Sequence, residues 1–213
     1  MANSEFFESP KQFYNRSSLR RSSLARNPLV LFHKWLEEAI RSYGLDAYST
    51  ILATANGRGH PSARVVLLKQ VEPAGFVFFT NYQSPKGCDL KVNPYAAMVF
   101  YWSKMQRQIR VAGLVERTSE GESNTYFKSR PRGSRIAALV SSQSSVIKCR
   151  ESLEKKYRRV EKLPSPERPD NWGGFRLKPS ALEFWQGRPN RLHDRFLYKL
   201  QSDDSWKIER LAP

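Results

Sequence analysis

Hydrophobic and polar positions change their period along this chain, and each change marks an element. Residues 1–26 are rich in Ser and Arg, including Arg16, Arg20, Arg21 and Arg26, with little apolar periodicity, and read as a mobile arm. Asn27-Pro28 then offers a helix N-cap followed by proline at the first helical position. Leu29, Phe32, Leu36, Ile40 and Tyr43 recur on one helical face until Gly44 ends the run. From residue 49 the period falls to that of strands. Residues 49–55 and 62–69 flank Asn56-Gly57-Arg58-Gly59, a hairpin signal, and a third strand is expected over 75–80.

Ser84-Pro85 opens a short helix that should end near Asn93-Pro94, and 95–102 with 106–117 read as a second hairpin. Ser119 and Glu122 form a capping-box pattern for a helix through about residue 128, followed by a short helix over 134–140 and a charged one over 150–162. The proline-bearing stretch 163–171 is a linker, and strands over 174–177, 181–185, 193–200 and 206–210 finish the chain. About eight short strands interrupted by helices predict a mainly β protein, an antiparallel barrel with peripheral helices. A doubly wound fold is disfavoured, because no Gly-x-Gly-x-x-Gly follows a strand and no Walker-type lysine loop is present.

The 213 residues suit one domain, 27–213, preceded by the arm. No apolar run approaches the roughly 20 residues of a membrane span. A transit peptide in the arm is opposed by Glu5 and Glu8. Cys88 and Cys149 read as ordinary thiols of a reducing compartment, hence a cytoplasmic location, and three separated histidines make a metal site unexpected.

Charge changes the picture more. Lys and Arg number 36 against 20 Asp and Glu, a formal net charge of +16, which suggests anionic partners: nucleic acid or phosphorylated small molecules. A non-specific nucleic-acid binder carries a basic stripe or tail. Here cations interrupt apolar strands, as in Arg64-Val65-Val66-Leu67-Leu68-Lys69 and Arg107-Gln108-Ile109-Arg110, where they are either solvated or line a pocket. In a regular strand Arg64 and Lys69, five apart, face opposite sides.

Four further segments carry candidate chemistry. Phe184–Arg195 gathers arginines, His193, Asp194 and Trp185 around a turn, suited to a planar anionic ligand; surface ion pairing is the bland alternative. Thr80 to Lys86 runs from a strand end into a helix start, where Ser84 can cap and Lys86 can meet a phosphate. Tyr126 and Arg130 share a helical face, with Ser134 just beyond, as a phosphate grip or as an ordinary basic helix end. Ser141 to Ser145 is either a plain loop or an array of donors for a heterocycle.

Together these segments resemble the pyridoxamine 5′-phosphate oxidase family, from about residue 28 to the last. The likeness rests on 64–69, Phe79-Thr80-Asn81, Arg107-Gln108, Tyr126-Phe127-x-Ser129-Arg130-Pro131, Gln143-Ser144-Ser145, Trp172-Gly173-Gly174, 183–187, 191–195 and 209–213. It implies a split β-barrel homodimer with FMN at the subunit interface. Arg64, Thr80, Ser84 and Lys86 would hold the FMN phosphate and ribityl region. Gln108, Gln143, Ser144, Trp185 and Arg195 would contact the rest of the flavin, with Val65, Lys69 and Phe79 beside it. Lys69, Tyr126, Arg130 and Ser134 would grip the substrate phosphate, while Arg191 and His193 would cover and orient the pyridine ring as catalytic residues. The implied reaction oxidises pyridoxamine or pyridoxine 5′-phosphate to pyridoxal 5′-phosphate, with O2 as acceptor, releasing H2O2, and NH3 from the amine. Three positions depart from the family pattern: Pro85 stands in place of an arginine, Lys128 in place of a common histidine, and Lys11 in place of an arginine near the lid-like Tyr14.

Overall fold

The computed structural model describes residues 14–213, so Lys11 and the first half of the expected arm lie outside the described residues. Helix α1 (Pro28–Tyr43) begins as the sequence dictates: the Asn27 side chain accepts from the Leu29 N–H at 2.9 Å, and Pro28 occupies the first turn. Its apolar face, including Leu29, Phe32, Trp35 and Leu36, is buried against the sheet.

Nine antiparallel strands form one sheet: β1 (Ser49–Ala55), β2 (Pro61–Leu67), β3 (Gln70–Glu72), β4 (Gly75–Asn81), β5 (Tyr95–Trp102), β6 (Arg107–Arg117), β7 (Trp172–Gln186), β8 (Asp194–Leu200) and β9 (Trp206–Arg210). Helices α2 (Pro85–Val92), α3 (Glu120–Ser129), α4 (Arg132–Val140) and α5 (Arg150–Glu161) lie between the strands in sequence. The strand order is β2-β1-β5-β6-β7-β4-β3, with β8 on β7 and β9 on β8.

Strand β7 is where the sheet divides. Along one edge it pairs with β6 from Phe175 to Gln186; along the other its first half pairs with β4 and its second half with β8. The sequence reads this stretch as two strands because Lys178-Pro179-Ser180 looks like a break, yet the strand is continuous. Register shifts there, Ala112 facing Ala181 and Gly113 facing Pro179, so Ser180 is the extra residue of a bulge. A bulge is a place where a strand tolerates a proline that cannot donate to the ladder.

Phe32, Phe76, Phe78, Phe100, Phe184 and Tyr198 fill the core. Residues 14–26, expected as part of a mobile arm, instead lie against the sheet: Leu19 is buried, its N–H donates to Asp194 Oδ2 at 3.1 Å, and Tyr198 donates to the Ala25 carbonyl at 2.9 Å. Leucine burial and these bonds give the segment a destination that its Ser/Arg composition hid.

The outer face of β1, β2, β5 and β6 keeps a row of apolar side chains in water. Ile51, Val65, Leu67, Tyr95, Tyr101 and Leu114 are all exposed there. No helix among the described residues is long and apolar enough to cross a membrane.

Candidate functional site

A cavity of about 680 Å3 opens where the end of β2, the end of β4, the start of α2 and the residues around α3 and α4 meet. Arg64 and Lys69 both line it, although regular alternation would separate them. The strand ends at Leu67; Leu68 then donates to the Tyr48 carbonyl and Lys69 to the Val77 carbonyl, so the chain turns and brings Lys69 round.

One end of the cavity is a cationic cradle. Lys86, at the start of α2, is buried, and its Nζ donates to Thr80 Oγ1 and Ser84 Oγ at 3.2 Å and to Gln143 Oε1 at 3.3 Å. Ser84 stands at the N-cap position but does not cap: its hydroxyl donates to the Asn81 carbonyl at 2.7 Å and accepts from Lys86. Arg64 donates to Leu52 O at 3.1 Å and Thr54 Oγ1 at 2.8 Å. Burial, reinforced by the Arg64 charge, holds the Lys86 ammonium below the usual lysine value. Burial also lowers Arg64, with Asp89 opposing. Two desolvated cations that repel one another are what an anion would relieve.

The other end is aromatic with a cationic rim. Phe79 and Tyr126 stack at 3.9 Å between centroids, and Trp172 lies parallel to Phe79 at 5.6 Å. The Arg130 guanidinium sits 4.6 Å over the Trp172 ring, and Lys69 Nζ lies 6.0 Å from the Tyr126 ring. Arg130 Nη1 is buried without a hydrogen-bond partner, and burial lowers the proton affinity of this guanidinium. A buried guanidinium N–H without an acceptor is costly unless a ligand supplies one. Ser134 lines the same end.

A second cluster forms on the outer sheet face. Tyr101, Gln108, Trp185 and Arg195 stand in one cross-strand row. Arg195 is fixed by Glu183 Oε1 at 2.8 Å and the Ala212 carbonyl at 2.7 Å, while Arg110 donates to Glu183 Oε2 at 3.0 Å. His193 lies against Trp185, with 4.6 Å between centroids, and edge-on to Tyr14 at 5.2 Å. Its Nδ1 accepts the Arg188 N–H at 3.0 Å, which puts the proton of the neutral ring on Nε2. Burial, then the Arg191 charge, lowers the His193 pKa. Arg191 is exposed in a turn where Asn190 (φ 56°) and Arg191 (φ 60°) are both left-handed, a conformation that non-glycine residues adopt at a cost.

Residues 36–163 match the family model described as pyridoxamine 5′-phosphate oxidase, and residues 172–213 match a pyridoxine 5′-phosphate oxidase C-terminal dimerisation region. The chain belongs to the pyridoxamine 5′-phosphate oxidase family. Pyridoxine/pyridoxamine 5′-phosphate oxidases of Burkholderia vietnamiensis and Polynucleobacter asymbioticus are each 49% identical to it, over 94% of this chain and 95% of theirs. Among solved structures, PhzG from Burkholderia lata in complex with tetrahydrophenazine-1-carboxylic acid superposes with a TM-score of 0.86 at 28% identity, covering 90% of this chain and 95% of that one. A pyridoxamine 5′-phosphate oxidase-related, FMN-binding protein of Nostoc punctiforme shares the fold, with a TM-score of 0.72 at 19% identity over 89% of this chain and all (100%) of that one. The fold is thus the split barrel of this family, and FMN is its cofactor.

The family's expected site residues divide between the two clusters. Arg64, Val65, Lys69, Phe79, Thr80, Lys86, Tyr126, Arg130, Ser134 and Gln143 line the cavity, with Ser84 behind Lys86. Gln108, Trp185, Arg191, His193 and Arg195 do not; they belong to the second cluster. Ser144, left-handed at φ 71°, is exposed in the loop between α4 and α5. The bland reading of 191–195 holds in part, since Asp194 pairs with Arg188 and Arg210 at 3.5 and 3.2 Å. Sequence reasoning missed Glu183, the buried acid that holds Arg195 and Arg110. Its signal was there: a carboxylate between Leu182 and Phe184 in an apolar strand needs cationic partners.

Proposed function

We propose that this chain is a pyridoxal 5′-phosphate synthase: an FMN-dependent oxidase of pyridoxamine and pyridoxine 5′-phosphates, acting in the cytoplasm. The observation that carries the reading is the pair of cationic ends in one cavity. The Arg64–Lys86 end suits the FMN phosphate, and the Lys69–Tyr126–Arg130–Ser134 end suits a second phosphate beside a flat aromatic floor. The unpartnered Arg130 N–H fits that role, because a phosphate oxygen is a strong acceptor and guanidinium contacts to phosphate are charge-assisted.

The remaining residues would join from a second copy of this chain. The exposed apolar face of β1, β2, β5 and β6 runs on through Gln108 to Trp185 of β7 and Arg195 of β8, and Val65 and Leu67 both stand on it and rim the cavity. Packing two such faces together buries them and brings one subunit's row towards the other's cavity. Such a homodimer accords with the C-terminal dimerisation region.

FMN, when bound, supplies the hydride acceptor and the reaction with O2. The chain supplies binding, orientation and exclusion of water. Lys69 and Arg130 anchor the substrate phosphate; Trp185 and His193 wall the flat ligand; Arg191 reaches the reacting carbon. His193, neutral at physiological pH, offers Nε2–H as a donor without adding a charge beside Arg191. Oxygen uptake with pyridoxamine 5′-phosphate, with H2O2 and pyridoxal 5′-phosphate formed in step, tests the reading; a yellow flavoprotein that ignores both vitamers would end it. The likeness to PhzG favours one other reading, oxidation of a reduced tricyclic carboxylic acid. The same assay with tetrahydrophenazine-1-carboxylic acid decides between them, and the phosphate grip favours the vitamers. Arg191→Met should cut turnover at least about a hundredfold and leave FMN occupancy intact; equal turnover would remove Arg191 from the mechanism.

A further inference from the structure

Asp89 does not line the cavity, yet its carboxylate organises the residue that does. Thr54 and Ser62 face each other across β1 and β2, and Leu52 faces Arg64 in the same ladder. Both hydroxyls donate to one oxygen, Asp89 Oδ2, at 2.7 and 3.1 Å. A hydroxyl has a single proton, so each then turns lone pairs towards Arg64. Arg64 Nη1 donates to Thr54 Oγ1 and Leu52 O, and Nη2 donates to Ser62 Oγ. That engages both protons of Nη1 and one of Nη2. What remains is Nε–H and the second Nη2–H, the edge of the guanidinium that binds phosphate in bidentate fashion.

We propose that Asp89 is a positioning residue for the cofactor phosphate, orienting Arg64 through the Thr54 and Ser62 hydroxyls. The proposal rests on the assignment of Arg64 to the FMN phosphate made above. A direct Asp–Arg pair would occupy the fork and cancel its charge; the hydroxyl relay fixes the guanidinium and leaves its charge available. Without the carboxylate, each hydroxyl is free to rotate its proton towards Arg64, and the guanidinium loses two fixed acceptors. The Asp89 charge itself also repels an incoming phosphate. That repulsion crosses the guanidinium and is screened, whereas the bidentate contact is direct, so orientation outweighs it.

Flavin fluorescence titration of apoprotein tests this with FMN and with riboflavin, which lacks the phosphate. Asp89→Asn should weaken FMN binding about tenfold, leave riboflavin binding unchanged, and add nothing in an Arg64→Met background. Equal weakening of both flavins would make Asp89 a merely structural residue. Tighter FMN binding would make its charge the dominant effect, and full additivity with Arg64→Met would cut the link to Arg64. Each of these results overturns the proposal. Should Arg64→Met itself leave FMN affinity unchanged, the assignment of Arg64 falls first and the proposal with it. If Asp89→Asn fails to fold, Thr54→Val cuts one of the two hydroxyl links with little change in shape and is read by the same criteria.

Discussion

At the scale of single residues, the site works by holding cations where water cannot fully solvate them. Arg130 is the clearest case. Arg130→Met should raise KM for pyridoxamine 5′-phosphate by about 10- to 100-fold, the value of a charge-assisted contact of about 1.5–3 kcal/mol, while FMN stays bound. Steady-state kinetics with the flavin spectrum recorded in parallel checks both halves. Lys86 gives a dependence on pH whose two signs differ. Its pKa is lowered in the fold, so the folded chain binds a proton less readily than the unfolded one, and apoprotein stability gains as pH climbs through the lowered value towards the ordinary lysine value. In the proposed reading the FMN phosphate needs the charged ammonium, so cofactor affinity should fall over the same interval. Lys86→Met should remove that alkaline loss of affinity in a pH series of flavin titrations. His193 has the same sign: being lowered, it contributes stability that is complete above the ordinary histidine value and is lost as pH falls towards and through the lowered folded value.

At the scale of elements, β7 and its glycines decide whether the aromatic floor forms. A Cβ on Gly174 would stand 2.4 Å from Thr118 Oγ1 and 2.8 Å from Phe79 Cε1, so Gly174→Ala pushes on the ring that stacks with Tyr126. Overpacking of this kind costs about 1–3 kcal/mol, and thermal melting should show a Tm lower by on the order of 5 °C. Most elements were legible in the sequence, because α1 and the hairpins carry clean periods and clear caps. What was not legible shares a cause. Strand β3 is three residues long and shows no period, β7 hides its continuity behind a bulged proline, and Lys69 changes side because its strand ends two residues earlier. Of the site, the cavity's cationic grip was readable from Tyr126, Arg130 and Ser134, whose spacing is local. The Asp89 and Glu183 supports were not, because their partners come from distant strands.

At the scale of the whole molecule, the exposed apolar face is the surface proposed above to pair two copies. Placing charges there, as in Ile51→Asp with Leu114→Asp, should turn a dimer into a monomer in sedimentation analysis and release FMN with it, since in the proposed reading each site draws on both copies. A dimer that persists with flavin bound would relocate the interface. Strand β7 adds a geometric consequence. It begins with Trp172 beside one cluster and ends at Trp185 in the other, a stiff ruler on the order of 40 Å long. If each centre joins the two clusters from different subunits, as proposed above, two crippled proteins should rescue one another. Subunits bearing Arg130→Met, scrambled with subunits bearing Arg191→Met, would give hybrids with one intact centre and one doubly broken centre, restoring about a quarter of the native rate from two nearly silent parents when assayed well below the raised KM.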